Sequence, residues 1–172
     1  MAIDIFEPLK DLQGNKLKSA SWYRNAVSLI SDRSSPSELF ASGKLLGRPS
    51  AGRMSMFFYD PKFKQRLPYY DTFPLVLPLE PMKGGFIGLN FHYLPYALRA
   101  RLLSRLDPNA NYSALKNVRL VNPTLKRYLN TNVRSRFRKL EEEDFMTAIM
   151  LPVQRFRKSS ASKVWSDSRK VI

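Results

Sequence analysis

The sequence predicts an α+β fold: a small SH3-like β-barrel or a strongly twisted antiparallel sheet, with helices N-terminal to it and inserted within it. Three observations carry this. Residues 52–94 hold three short apolar and aromatic runs bounded by proline and glycine. Two stretches, Phe57-Phe58-Tyr59 and Leu75-Val76-Leu77, are apolar on both faces, which fits strands covered from both sides. Apolar residues at helical spacing recur upstream, in 21–33, and downstream, in 95–106.

The first predicted strand is Met54–Tyr59, rich in residues that suit a pleated, half-buried surface. Asp60-Pro61 ends it, because proline has no amide hydrogen for a ladder. The second is Phe73–Leu79, with Pro74 near its start and Pro78 near its end. The third is Phe86–Tyr93, reached through Gly84-Gly85, a pair that tolerates the positive φ of a hairpin turn. Strands this short favour a small barrel over a broad open sheet. A further strand, Ala148–Val153, is expected to close the barrel against the second, and a short one is expected near Val118–Val121.

Around these strands the spacing predicts four helices. Ser21 caps a helix to about Arg33, with Trp22, Ala26, Leu29 and Ile30 on one face. Ser34-Ser35-Pro36 breaks it, and a second short helix runs from Ser37 to Leu46. Pro95 opens a third, to about Leu106, with Leu98, Leu102, Leu103 and Leu106 facing inward and Arg99, Arg101 and Arg105 mostly opposite. Asn122 caps and Pro123 opens a fourth, to about Leu140, along the stripe Leu125, Tyr128, Leu129, Val133, Phe137 and Leu140. The chain then divides into a basic N-terminal arm with one or two helices (1–50), an α+β core (51–158) and a basic C-terminal tail (159–172). Trp165 is that tail's one large anchor, expected to dock on its own domain or on a neighbouring subunit.

Charge is the strongest global signal. Lys and Arg number 29 against 14 Asp and Glu, a net charge of +15. Such an excess repels itself, so a polyanionic partner explains it, nucleic acid before an anionic membrane surface. No run of about 18 apolar residues occurs, so no membrane span is expected. The N-terminal residues show no basic region followed by an apolar core of the signal-peptide type. With no cysteine, disulfides and thiolate zinc sites are excluded.

The densest basic segment supplies the first candidates for phosphate contact: Arg127, Arg134, Arg136, Arg138 and Lys139. Lys62 and Lys64, from a loop where cations alternate with aromatics, and Arg99 and Arg105 are expected to help. A solvated helix face is the plainer reading of such a charge run. No cofactor and no metal site is expected. His92, the single histidine, lies in an apolar strand and reads as a hydrogen-bonded structural residue. A magnesium-dependent nuclease would need carboxylates such as Asp60, Asp71, Glu80 and Asp144. Asp71, Glu80 and Lys83 loosely match such a pattern, but Pro81 breaks the usual gap. Gly84–Gly88 lacks the Lys-Ser/Thr pair of a phosphate loop.

Several runs, taken together, resemble one family. They are Gly52-Arg53-Met54, Phe57-Phe58-Tyr59-Asp60-Pro61-Lys62, Leu67-Pro68-Tyr69-Tyr70-Asp71 with Phe73-Pro74-Leu75, Gly84-Gly85-Phe86 with Gly88-Leu89-Asn90, His92-Tyr93-Leu94-Pro95, and Val164-Trp165-Ser166-Asp167-Ser168-Arg169-Lys170. The family is that of the DNA end protector proteins of T-even-type contractile-tailed phages and their marine relatives. The resemblance covers the central third and the C-terminus. It implies a minor, non-catalytic virion protein, present in the host cytoplasm during assembly. Such a protein would bind the ends of packaged linear double-stranded DNA, shield them from host exonuclease and serve in head completion, beside portal, neck or tail proteins. The rival reading is a purely structural connector, neck or baseplate subunit that meets neighbouring virion proteins through its basic surface and terminal arms. A homo-oligomer stays open, and no membrane partner is expected.

Overall fold

A computed structural model describes residues 4–14, 17–106, 115 and 117–172. Among them the strands are β1 (Lys44–Leu46), β2 (Ser55–Met56), β3 (Tyr70–Asp71), β4 (Leu75–Met82), β5 (Gly85–Asn90), β6 (Leu125–Leu129), β7 (Phe137–Lys139) and β8 (Phe156–Arg157). The helices are α1 (Glu7–Gln13), α2 (Ala20–Ala26), α3 (Pro36–Ala41), α4 (Tyr96–Arg105), α5 (Phe145–Met150) and α6 (Ala161–Arg169). Six strands form one antiparallel sheet in the order β1-β7-β2-β4-β5-β6, and β3 pairs with β8 in a separate ribbon. The mixed helix-and-sheet class is as the sequence predicts.

The β4–β5 hairpin is the centre of the sheet. Gly84 turns it at φ +78°, a region that disfavours side chains. Gly85 has no room for one, since a Cβ there would fall on the Tyr128 carbonyl of β6. β4 shifts register between Pro78 and Glu80, where proline offers no ladder hydrogen. Before the shift β4 pairs with both β2 and β5; beyond it, β5 is its ladder partner.

This bend lets the sheet curl around a small aromatic cluster. Phe57, just after β2, and Phe137 of the neighbouring β7 come from one side of the sheet, Phe86 of β5 and Tyr128 of the neighbouring β6 from the other. Yet the Phe57 ring centre lies 5.3 Å from Tyr128 as well as 4.8 Å from Phe137. Phe86 lies 5.3 Å from Tyr128 and 6.0 Å from Phe137. A 3-10 turn, Asn130–Asn132, carries the chain from β6 round to β7, and Leu129 donates its N–H to the Tyr59 hydroxyl at 2.8 Å. Among the described residues no ladder joins β6 to β1, so the sheet stays open rather than closing into a barrel.

On the other face the helices cover a larger core. Ile5, Phe6 and Leu9 from the N-terminal segment join Tyr23, Ile30, Leu39, Met56, Phe73, Leu75, Leu102 and Ile149 in one cluster. Each fully buried large apolar side chain contributes about 1.5–3 kcal/mol relative to exposure. Ser19 caps α2 by accepting the Trp22 N–H, two residues earlier than predicted, and Ser35 caps α3 in the same way through Glu38. The last residues of the predicted second helix, Lys44–Leu46, instead form β1 along β7. On α6, Trp165 donates its indole N–H to the His92 carbonyl at 2.9 Å, so this anchor docks on its own chain.

Three further sequence expectations fail. The helix over 123–140 is instead β6, the 3-10 turn and β7. Residues 125–129 complete the free edge of β5, and Asn130 and Asn132 favour a turn over helix interior. Ala148–Val153 is not a closing strand. Residues 145–150 form α5, buried nearly all round against α2 and α4, where periodicity cannot separate a short helix from a buried strand. The strand near Val118–Val121 is a 3-10 turn, Arg119–Val121.

Candidate nucleic-acid interface

Two of the predicted phosphate contacts face inward. Arg99 is fully buried, against the expectation that it lies on the outer side of its helix. Its Nε donates to the Leu94 carbonyl at 2.6 Å, Nη1 to Ile149 at 2.8 Å and Nη2 to His92 at 3.3 Å. Its guanidinium lies 4.5 Å from the Tyr96 ring centre, and burial pulls its pKa down to about 10. Arg138 is 3% exposed. It donates to the carbonyls of Leu39 and Lys139, each at 2.9 Å, and burial lowers its pKa too. A Cβ on Gly43 would collide with this guanidinium, so the glycine makes room for it.

The physical reason is shared. Leu39 and Ile149 lie in the last turns of α3 and α5, whose carbonyls have no helical partner. A buried helix end needs donors, and each arginine brings a fork of them. No spacing rule reveals that need.

The remaining candidates reach solvent. Arg127, Arg134, Arg136, Lys62 and Arg105 are exposed, and Lys64 and Lys139 are half-buried. Asp60 brings two of them together: its carboxylate lies 2.8 Å from Lys64 Nζ and 3.7 Å from Arg134 Nη2. The bond from Lys64 holds the Asp60 pKa below the usual carboxylate range. Arg134 also donates to the Thr131 carbonyl at 2.7 Å, which fixes it on the β6–β7 turn. Lys62 and Arg127 line one groove, between the 60–70 loop and β6. Arg105, the last residue of α4, does not line it, Arg136 sits just before β7 and Lys139 is the last residue of that strand.

The groove has a volume of about 610 Å³ and holds residues that the site prediction lacked. Lys126 Nζ lies 3.9 Å from the Tyr93 ring centre, and burial pulls its pKa down to about 8. Lys158, at φ +70°, donates to three carbonyls of the loop: Lys64 at 2.7 Å, Leu67 at 3.0 Å and Gln65 at 3.2 Å. That clamp holds the loop that carries Lys62, Phe63 and Arg66. The alternation of cations with aromatics in 60–70 was the available signal for this groove; Lys158, remote in sequence, had none.

The carboxylates of the nuclease pattern are not assembled. Asp71 is buried and accepts four hydrogen bonds, from the N–H groups of Phe73 and Arg155 and from Asn90 and His92. Among the described residues no group of three or more His, Asp or Glu side chains converges to hold a metal ion. No helix there is long and apolar enough to cross a membrane.

What the geometry offers is a face on which Lys62 and Arg66 flank the Phe63 ring and Lys126 covers that of Tyr93, with further exposed cations nearby. Such a face can hold phosphates without reading bases. The family model described as phage T4 terminal DNA protecting protein matches residues 13–168. No curated protein and no solved structure matches the chain.

Proposed function

The chain belongs to the phage T4 terminal DNA protecting protein family, and from that premise we propose that it is a non-catalytic virion protein that sits on the ends of packaged linear duplex DNA. Contact is made by counterion release through Lys62, Lys64, Arg127, Arg134 and Arg136, with Lys139 and Arg105 at the margin. Bound there, it denies an exonuclease the terminal phosphodiester and takes part in head completion. One observation carries this reading. Arg127, Arg134 and Arg136 stand exposed on β6 and its connection to β7, Lys62 is exposed across the groove from Arg127, and among the described residues Asp60 is the one carboxylate paired with any of them. We read the curled sheet as an SH3-like half-barrel, supported by its order β7-β2-β4-β5-β6 and the 3-10 turn between β6 and β7.

Exonuclease challenge tests the proposal. Linear duplex should survive with the protein and be degraded without it, and a closed circular competitor of equal length should not relieve the protection. Equal degradation with and without the protein would refute end protection. Cleavage of linear DNA by the protein and magnesium would refute the non-catalytic part.

A further inference from the structure

The 60–70 loop displays a large apolar ring on a pinned scaffold. Phe63 is 55% exposed at its tip. The loop beneath it is held by the Lys158 clamp, by the Asp60–Lys64 pair and by the turn bond from the Arg66 N–H to the Phe63 carbonyl at 2.9 Å. An exposed ring on a fixed loop is presented surface, not a frayed end. Lys62 Nζ and the Arg66 guanidinium flank it at 5.4 and 5.8 Å from the ring centre.

Charge decides what the groove behind it can accept. Lys62, Lys126 and Arg127 line it. Its one acidic lining residue, Asp71, has its carboxylate turned inward onto four donors. Lys126 has no carboxylate within ion-pair distance among the described residues, and the ring it does meet is Tyr93. A partly desolvated ammonium with no counterion gains by meeting an anion. Tyr69 and Tyr70, both half-buried, supply rings in the same groove, while the Tyr93 ring is buried beneath Lys126. Rings beside cations in a groove of this size match the chemistry of single-stranded nucleic acid: bases stack and phosphates pair.

We propose that this groove receives the unpaired terminal nucleotide of a DNA end, with its base against the aromatic wall and its phosphate toward Lys126 and Arg127. This rests on the end-binding reading and adds to it a preference: the protein holds a frayed or tailed terminus in the groove, while the duplex lies on the neighbouring cations. A proline-rich peptide, the other occupant that an aromatic groove admits, is disfavoured because nothing in the rim suits a neutral ligand over an anionic one.

Four duplexes of equal length test it at one salt concentration: both ends closed by hairpin loops, both blunt, a four-nucleotide 3′ tail, and a four-nucleotide 5′ tail. One tailed form should bind at least about fivefold tighter than the blunt form, the scale of one stacked base. Phe63→Ala should abolish that advantage and leave blunt-end affinity within about twofold; Lys126→Met should reduce the same advantage. Tails that bind no tighter than blunt ends overturn the inference, as does an advantage that survives Phe63→Ala. So does a proline-rich peptide that shifts the Tyr93 and Lys126 resonances when the tail does not. Equal binding of blunt and hairpin-closed duplexes sinks the end-binding reading instead, so the two failures are distinct.

Discussion

His92 Nδ1 lies 2.7 Å from Asp71 Oδ2, and solvent reaches neither side chain. Burial alone would raise the Asp71 pKa, but His92 and the donors from Asn90 and Phe73 outweigh it and hold the group below its ordinary value. Burial pushes His92 down, so it is neutral and donates Nδ1–H. Protonating it would put an N–H at Nε2, which is buried with no hydrogen-bond partner. The pair ties β3 to the turn after β5, and Asp71 Oδ1 adds the Arg155 N–H at 3.1 Å.

Asp71→Asn turns one acceptor oxygen into a donor that faces existing donors. The expected loss is about 2–4 kcal/mol, read as a lower urea midpoint at unchanged slope. A variant within ~0.5 kcal/mol of wild type would contradict the four-donor account.

Asp144 and His92 oppose each other as pH changes. Asp144 is raised to about 6, first by burial, with Lys10 pulling the other way and Asp4 and Glu143 adding to the rise. Its folded state therefore takes a proton before its unfolded state does. That contribution grows as pH falls from about 6 toward 4. His92 is depressed, so its contribution is present above about 6.5 and fades as pH falls below that. Against Asp144→Asn, wild type should gain by up to about 3 kcal/mol between pH 7 and pH 4. Paired denaturant titrations at the two pH values measure it, and a constant difference would remove the raised carboxyl.

Particular residues show how far the sequence could be read. Gly84, Pro95 and the apolar runs in 75–90 encode the hairpin and α4 locally, so they were legible. The stretch 123–140 carries an apolar stripe that fits a helix, yet the open edge of β5 lies elsewhere in the chain and settles the matter. Arg99 and Arg138 look like surface cations because their acceptors, Ile149 and Leu39, are far away in sequence. Of the candidate surface, the cation-aromatic alternation of the 60–70 loop was visible, while Lys126 over Tyr93 and the Lys158 clamp exist only after folding.

Arg99→Met should behave as a core lesion. It leaves the carbonyls of Leu94 and Ile149 short of donors, while that of His92 keeps the Trp165 indole N–H, at a cost of about 2–4 kcal/mol. Arg99→Lys should recover little of this, because an ammonium cannot reproduce the fork. Thermal unfolding ranks the three proteins. The salt slope of DNA binding by the folded fraction should not change, and a flatter slope would place Arg99 in the interface after all.

The Arg127→Ala, Arg134→Ala, Arg136→Ala triple variant should give the reverse pattern. These groups are exposed, so stability should stay within about 1 kcal/mol. Affinity should fall alike on unrelated duplexes, and the logarithmic salt slope should flatten by up to about 2.7, or 0.9 per phosphate. An unchanged slope would move the interface off the β6–β7 face.

Asp60→Asn is the sharpest of these tests, because it should strengthen binding. Asp60 holds Lys64 Nζ at 2.8 Å and faces Arg134 at 3.7 Å, so in the free protein one carboxylate partly screens two cations. DNA must compete with it for both. Removing its charge while keeping its shape should raise duplex affinity and steepen the salt slope by as much as about 0.9–1.8. The three side chains keep 40–51% of their surface in solvent, so the lost ion pairs matter little to folding. If Asp60 served instead to aim Lys64 and Arg134 at phosphates, the same variant would bind more weakly with its fold intact. Titrations of wild type and Asp60→Asn at several salt concentrations therefore decide between a screening and a positioning carboxylate, and weaker binding would exclude screening.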